Sequence, residues 1–367
     1  MDERQAWIAL NMVPGVGPLC FQALVEHLGS ALRVLSANEP GLRSVPGIGG
    51  KIARSILRFP AEVSMEREEA LARSLGIRIL TGQDVHYPSS LAQIPSRPPV
   101  LYLQGELIEE DEVAVAIVGS RRSTEYGRGV AGDLAYDLAS CGLTIVSGMA
   151  LGIDTAVHRG ALKASGGRTL AVWGSGLDVL YPPQNRDLAE RIPQSGALLS
   201  EFPLGTAPVP GNFPRRNRII SGISRGVVVV EAHERSGALI TAHFAVEQGR
   251  EVFAVPGSVY LQGSRGCHRL IQMGAKLVEG AEDILEELRL QCPLPVRPGT
   301  RRGEGSRPPL EGEEELLYQM LSDQPLHIDL LIAKSGLPAG RVASLLMSLE
   351  IKGYCRQERG KQFQRAS

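Results

Sequence analysis

The chain has 367 residues, of which 43% are hydrophobic and 22% charged, and its formal net charge is −1. That balance suits two or three globular domains and excludes a globally basic nucleic-acid binder, so such a role needs locally concentrated positive charge. No apolar run approaches the ~20 residues of a bilayer span, and Met1-Asp2-Glu3-Arg4 leads into no signal-type core, so a cytoplasmic protein without membrane contact is expected. The five cysteines, Cys20, Cys141, Cys267, Cys292 and Cys355, are scattered and odd in number, which argues against a disulfide framework. No Cys-x-x-Cys or His-Glu-x-x-His spacing occurs, and Cys267-His268 alone makes no metal site, so no metal is expected.

In the first segment, residues 1–60, two glycine turns recur: Val13-Pro14-Gly15-Val16-Gly17 and Val45-Pro46-Gly47-Ile48-Gly49. Each precedes a helical pattern, at 19–28 and 51–57. Glycines permit the tight turn, and backbone N–H groups at the helix start can face a phosphate. The pair resembles a helix-hairpin-helix or SAM-like module. Its functional reading is sequence-independent DNA contact or protein contact; the plain reading is a small helical domain, with Lys51 as its best-placed cation.

From 61 to 290 strand-like runs alternate with helical patterns. A charged helix at 62–75 and strands at 77–80 and 100–103 add an extra unit to the sheet that follows. Strands are expected at 114–118, 143–147, 169–173, 197–200, 226–231, 251–255 and 275–278. Helices are expected at 127–139, 154–164, 186–191, 216–224, 237–248, 268–273 and 281–288. Apolar runs such as Ala114-Val115-Ala116-Ile117-Val118 read as strands buried on both faces. The βα alternation predicts an α/β fold with an extended, Rossmann-like, doubly wound and mainly parallel sheet.

The strand ends read Gly119-Ser120-Arg121, Ser147-Gly148, Gly174-Ser175-Gly176, Ser200-Glu201-Phe202, Glu231-Ala232-His233 and Pro256-Gly257-Ser258. Parallel strands bring these ends to one edge, where helix N-termini also point. Small residues let an anion approach the backbone, so the edge suits phosphate. Gly174-Ser175-Gly176 lacks the third glycine of a dinucleotide fingerprint, and no Gly-x-x-x-x-Gly-Lys-Ser/Thr is present; no cofactor is expected. Asp154 and His158 stand four apart on one helical face and read as a buried structural pair. Ser236-Gly237 before a helix reads as a cap or anion contact.

Residues 202–230 contain no Asp or Glu but include Arg215, Arg216, Arg218 and Arg225. Phe213-Pro214-Arg215-Arg216-Asn217-Arg218 offers an aromatic, guanidiniums and a planar amide, the mixture that single-stranded nucleic acid asks for. Arg215 and Arg218, at i and i+3, are expected to share a phosphate path.

These stretches resemble the DprA (Smf, DNA-processing A) family. The resemblance rests on Val118-Gly119-Ser120-Arg121, on 147–154 with His158, and on Gly176-Leu177-Asp178 with Tyr181-Pro182. It rests also on Ser200-Glu201, 213–218, Glu231-Ala232, 236–242 and Val255-Pro256-Gly257, spanning about 87–274. It implies a non-enzymatic, single-stranded DNA-binding Rossmann domain that self-associates as a dimer. It also implies protection of incoming strands and loading of RecA recombinase during natural transformation. Family contacts map onto Arg121, Arg168, Phe213 and Asn217, with Arg186 near another basic position and Trp173 departing from the usual aliphatic. The expected site is therefore Gly119, Ser120, Arg121, Ser147, Gly148, Arg168, Arg186, Phe213, Arg215, Asn217, Arg218, Ser236 and Gly237; Arg122 is the solvated neighbour. The alternative is a phosphoribohydrolase-like enzyme, for which the glutamate after Ser236 comes late, at Glu247.

Residues 291–310, rich in Pro, Gly and Arg, read as a flexible linker. The last segment, 311–367, carries helical patterns at 313–321, 328–335 and 339–352 and then a basic hairpin around Arg359-Gly360-Lys361. That is the plan of a winged helix, with DNA or protein contact expected through its third helix and wing.

Overall fold

The computed structural model describes residues 1–62, 65–292, 310, 312–322, 326–352, 354–358 and 360–365. They form two compact units, with the boundary inside the undescribed stretch 293–309. The linker expected at 291–310 and the wing residue Arg359 lie almost wholly outside the described residues.

The first unit opens on helices α1 (Glu3–Met12), α2 (Pro18–Leu28), α3 (Ala31–Ser36), α4 (Glu39–Arg43), α5 (Gly50–Glu62) and α6 (Met65–Ser74). Then follow β1 (Ile77–Thr81), α7 (Ser89–Ala92), β2 (Val100–Gly105), β3 (Ala114–Val118), α8 (Glu125–Ser140), β4 (Thr144–Ser147), α9 (Ile153–Ala161) and β5 (Thr169–Val172). The unit continues with α10 (Arg186–Ser195), β6 (Ala197–Ser200), α11 (Asn212–Gly222), β7 (Gly226–Val229), α12 (Gly237–Glu247), β8 (Glu251–Ala254), α13 (Arg265–Gln272), β9 (Lys276–Leu277) and α14 (Ala281–Glu287). One sheet runs in the order β1-β2-β6-β5-β4-β3-β7-β8-β9. It is parallel from β6 to β9, and β1 and β2 are added antiparallel at one edge, Tyr102 pairing with Ser200 and Ile79 with Tyr102. This is the expected extended Rossmann-like architecture.

Alternation along β3 explains the two layers. Val115 and Ile117 face a core shared with Leu134 and Leu138 of α8 and Val157 of α9. Ala114, Ala116 and Val118 face the other side, against Ile219 and Ile220 of α11 and Ala242 of α12. The helices of 1–60 belong to the same compact unit as the sheet. Trp7, Leu10, Phe21, Ile56 and Phe59 share a core with Ile79, Val100, Tyr102 and Trp173. Trp173, the departure from the aliphatic pattern, is 4% exposed there.

Cys141 and Cys292 are paired as a disulfide, with Cα atoms 5.7 Å apart, a single bridge that the argument against a disulfide framework did not anticipate. Their 151-residue separation carries no local signal; the packing of the α8 end against the segment after α14 brings them together.

The second unit contains α15 (Glu313–Met320), β10 (Leu326–His327), α16 (Ile328–Ser335), α17 (Ala339–Ile351), β11 (Cys355–Glu358) and β12 (Gln362–Arg365). A three-stranded antiparallel sheet, β10-β12-β11, packs on the helices over Leu317, Leu331, Leu346 and Phe363: a winged helix. No single helix among the described residues is long and apolar enough to cross a membrane.

Candidate nucleic-acid interface

The end of β3, the loops that follow β4, β5 and β7, and residues of the segment 208–220 border a crevice of about 880 Å³. Its wall begins where β3 ends. Ser120 N donates to Glu231 O at 2.7 Å, and Ile153 N donates to Ser120 O at 3.2 Å, so the loop is clamped between β7 and α9. At Gly119 an added Cβ would lie 2.6 Å from Ile153 Cγ1, which is why only glycine fits there. The pinned loop turns Arg121 and Arg122 outward, both exposed.

Over the crevice the Arg121 guanidinium carbon sits 4.9 Å from the centroid of the Phe213 ring, a cation–π distance. Tyr181 stands 5.5 Å from the same ring at 46° and is 41% exposed. Phe213 leans on Gly174, where a Cβ would meet its ring carbon at 2.9 Å. The result is a half-open aromatic platform with a cation above it.

Below it lies Arg216, 3% exposed. Its Nη1 donates to Gly148 O at 2.6 Å and to Val172 O, tying down the ends of β4 and β5. Its Nε has no partner among the described residues. Burial pushes the guanidinium down to about 10, so it stays charged at neutral pH. The buried Asp154 carboxyl is raised by desolvation, opposed first by Arg216, and accepts from Ala150 N at 3.2 Å. Glu231 accepts at Oε2 from both Thr124 N and Thr124 Oγ1, at 3.0 Å each, at the N-terminus of α8, where the helix dipole favours a carboxylate.

The helical phase of α11 sorts its residues. Phe213, Arg216, Asn217 and Ile220 line the crevice, at the i, i+3, i+4, i+7 spacing of one face. Asn217 Nδ2 donates to Gly237 O at 3.2 Å. Arg215 and Arg218 do share a face, as expected, but it turns to Glu201. Arg218 is 5% exposed and binds Glu201 through both nitrogens at 2.7 and 2.8 Å; its Nε donates to Ser96 O at 2.9 Å. Arg215 is half-exposed, 3.9 Å from Glu201, and stacks 5.4 Å over Phe202. The shared phosphate path expected for this pair is therefore corrected: Arg218 is a buried ion-pair partner.

The remaining expected residues divide. Gly119, Ser120, Arg121, Phe213, Asn217, Ser236 and Gly237 line the crevice. Ser236 is also the N-cap of α12, accepting from Ala238 N. Ser147 and Gly148 are buried beneath it: Ser147 Oγ donates to Ile117 O at 2.7 Å. Arg186 is exposed at the start of α10, outside the crevice wall. Arg168 precedes β5 and so lies at the opposite, amino edge of the sheet. It is held by Asp111 at 2.6 and 2.7 Å and donates to Ser195 O at 3.2 Å; the structure does not bring it to the site.

Asp154 and His158 are both buried but are not bonded to each other. Thr169 Oγ1 donates to Ile145 O at 2.7 Å, so His158 Nδ1, 2.8 Å from that hydroxyl, carries the proton. Burial then lowers the imidazole to about 3. Glu247, the late glutamate of the enzymatic alternative, pairs with His243 at 3.2 Å on the exposed face of α12, outside the crevice. Sequence reasoning missed Tyr181, Arg216 and Arg235 as crevice residues. Only the helical phase of 212–222 carried a signal for Arg216, and it required the correct helix start. In the second unit, Arg341 is the only cation within α17 and is taken by Glu313 at 2.7 Å. The other exposed residues of α17 are Ala339, Gly340, Ala343, Ser344, Met347 and Glu350.

Residues 78–289 match the family DNA recombination-mediator protein A, and residues 303–361 match the DprA winged helix domain. The chain is 36% identical to the protein Smf of Synechocystis over 396 aligned residues, covering 99% of each. It is 47% identical to the DNA processing protein DprA of Streptococcus pneumoniae over 201 residues, 55% of this chain and 71% of that one. The crystal structure of the S. pneumoniae protein superposes with a TM-score of 0.68 at 35% identity, covering 78% of this chain and 99% of that one. The DNA processing protein A of Helicobacter pylori, described for its single-stranded DNA binding mode, superposes at 0.52 with 29% identity, over 58% and 95%.

Proposed function

The chain belongs to the DNA recombination-mediator protein A family, and from that premise we propose that it binds single-stranded DNA along the carboxyl edge of its sheet. In this reading Arg121 takes a backbone phosphate, Phe213 and Tyr181 offer ring faces to bases, Asn217 reaches a base edge, and the buried Arg216 keeps the floor positive. Gly119, Ser120, Ser236 and Gly237 let the strand approach the backbone. Arg122 and Arg235 extend the cationic rim, and Ser147 and Gly148 support it from beneath. The protein protects incoming strands and loads RecA recombinase on them during natural transformation, as a homodimer and without catalysis of its own.

The observation that carries the reading is the Arg121–Phe213–Tyr181 platform above Arg216. A ring for stacking beside cations for phosphates is what sequence-tolerant single-strand binding requires. Titration of labelled oligo-dT against a matched duplex at two salt concentrations tests it. Single-strand preference with steep salt dependence is expected; equal affinities with a flat salt response overturn it. RecA nucleation on oligo-dT already carrying the protein tests loading, and an unchanged nucleation rate removes that part.

A further inference from the structure

The loop that follows β8 carries an aromatic side chain that the fold leaves unused. Tyr260 is 93% exposed. Its ring meets no other ring, and its hydroxyl makes no hydrogen bond among the described residues. Val259 and Leu261 on either side are exposed as well. Single exposed apolar residues are ordinary, but a contiguous group beside a crevice marks a contact site.

The tip stands on a clamped base. Leu261 N donates to Ser258 O and Ser264 N to Leu261 O, each at 3.1 Å. Below them Ala232 N donates to Gly263 O and Gly266 N to Ala232 O, both at 2.8 Å, and His268 Nε2 donates to Gly257 O at 2.9 Å. A Cβ on Gly263 would lie 2.7 Å from Glu231 Oε1, so the loop fits closely against the one that follows β7. A ring presented on backbone already ordered costs less entropy to engage.

The same loop forms part of the crevice. Gln262 and Gly263 line it together with His233 and Arg235, and two residues span at most about 7 Å, which puts Tyr260 at the rim. Arg121, Arg235 and Tyr260 follow β3, β7 and β8, three neighbouring parallel strands, so they succeed one another along one sheet edge in steps of about 4.8 Å. Arg235 is exposed and makes no ion pair among the described residues; Arg265 approaches Glu234 only to 4.0 Å. Residues 252–278 contain no Asp or Glu. An open ring beside cations is the chemistry that stacks a base and holds the adjoining phosphates. A protein partner is the poorer fit, because three residues at a loop tip fall short of the ~800 Å² per side of a stable interface.

We propose that Tyr260 is a further base platform, and that a single strand seated at Phe213 and Tyr181 runs past Arg235 and stacks a later base on it, a reading that rests on the crevice as the single-strand site. The test is an anisotropy titration of the full chain with oligo-dT of about 4 and about 16 nucleotides. The short probe occupies the Arg121–Phe213–Tyr181 end, and the long one reaches the tip. Tyr260→Ala is expected to weaken the long probe about tenfold and leave the short one within about twofold, with the salt slope unchanged because no phosphate contact is lost. Tyr260→Phe should bind both like the parent, since the ring face and not the hydroxyl makes the contact. Sedimentation velocity should give the same association state for Tyr260→Ala and the parent. Unchanged affinity of Tyr260→Ala for the long probe, or an equal fall on both probes, overturns the proposal. A changed association state also overturns it, by assigning the tip to a second copy of the chain. Phe213→Ala judges the crevice separately: it should weaken both probes, and no effect on either overturns that reading whatever Tyr260→Ala does.

Discussion

Arg218 and Arg215 stand three residues apart and differ in what their loss does. Arg218→Ala leaves Glu201 as a buried carboxylate, 4% exposed, with a half-exposed arginine 3.9 Å away as its remaining ion-pair partner. Breaking a buried pair costs about 3–5 kcal/mol, so denaturant unfolding should show a loss of that order, whereas Arg215→Ala should stay within about 0.5 kcal/mol. On the crevice side, Arg121→Ala and Phe213→Ala should each weaken oligo-dT binding about tenfold, ~1.4 kcal/mol. The double variant should reveal a coupling of about 0.5–1 kcal/mol from the cation over the ring. His158 adds a pH dependence. Its native value of about 3 lies below the ordinary 6.5 of a free imidazole, so between those values the unfolded chain binds the proton and the native one does not. Stability is then intact above pH 6.5 and falls as the pH drops toward 3, by at most ~1.4 kcal/mol per unit from this group. Asp154, raised instead, protonates earlier in the native state and opposes the fall at its acid end. Thermal melts of His158→Gln should show a flatter acid limb; a limb of unchanged steepness would assign the acid loss to other groups.

At the scale of elements, the contact of α8 with α9 runs through two glycines. A Cβ on Gly160 would fall onto Gly132 O and within 2.9 Å of Gly132 Cα. Gly160→Ala should therefore destabilise by about 1–3 kcal/mol, as overpacking does. Gly129, also within α8, has nothing within 4 Å, and Gly129→Ala should stabilise by about 0.5–1 kcal/mol through backbone entropy. Denaturant midpoints of the two variants check both signs. The strands were legible at this scale because a strand buried on both faces is a continuous apolar run, as β3 and β7 are. Helix starts were less so. The sequence pattern begins a helix at Arg216, but α11 begins at Asn212 and accommodates Pro214 in its first turn, where its missing N–H costs nothing. Those four residues set the phase that sends Arg216 to the crevice and Arg218 to Glu201. Likewise α10 was expected to stop at 191, yet it runs through Pro193 to Ser195.

For the molecule as a whole, a net charge of −1 conceals a crevice lined by Arg121, Arg122, Arg216 and Arg235 against Asp154 and Glu231. Single-strand affinity should fall with salt at a slope of roughly 0.7 per phosphate engaged, and Arg121→Ala should reduce that slope by about one such unit; oligo-dT titrations across a salt series measure it. The sequence by itself determined the α/β class, the winged helix and the carboxyl-edge position of the Gly119–Arg121 loop, because apolar periodicity and glycine placement are local properties of the chain; that Phe213 and Arg121 belong to one site was implied by the family resemblance. Only the tertiary structure decided which arginines are free. Arg121 is pinned outward by the clamp between Glu231 and Ile153, Arg168 is consumed by Asp111 at the far edge, and Arg218 is consumed by Glu201. It decided the Cys141–Cys292 pairing as well. A guanidinium's availability depends on whether a carboxylate from a distant segment reaches it, and strand order and helical phase, not spacing along the chain, bring that partner in.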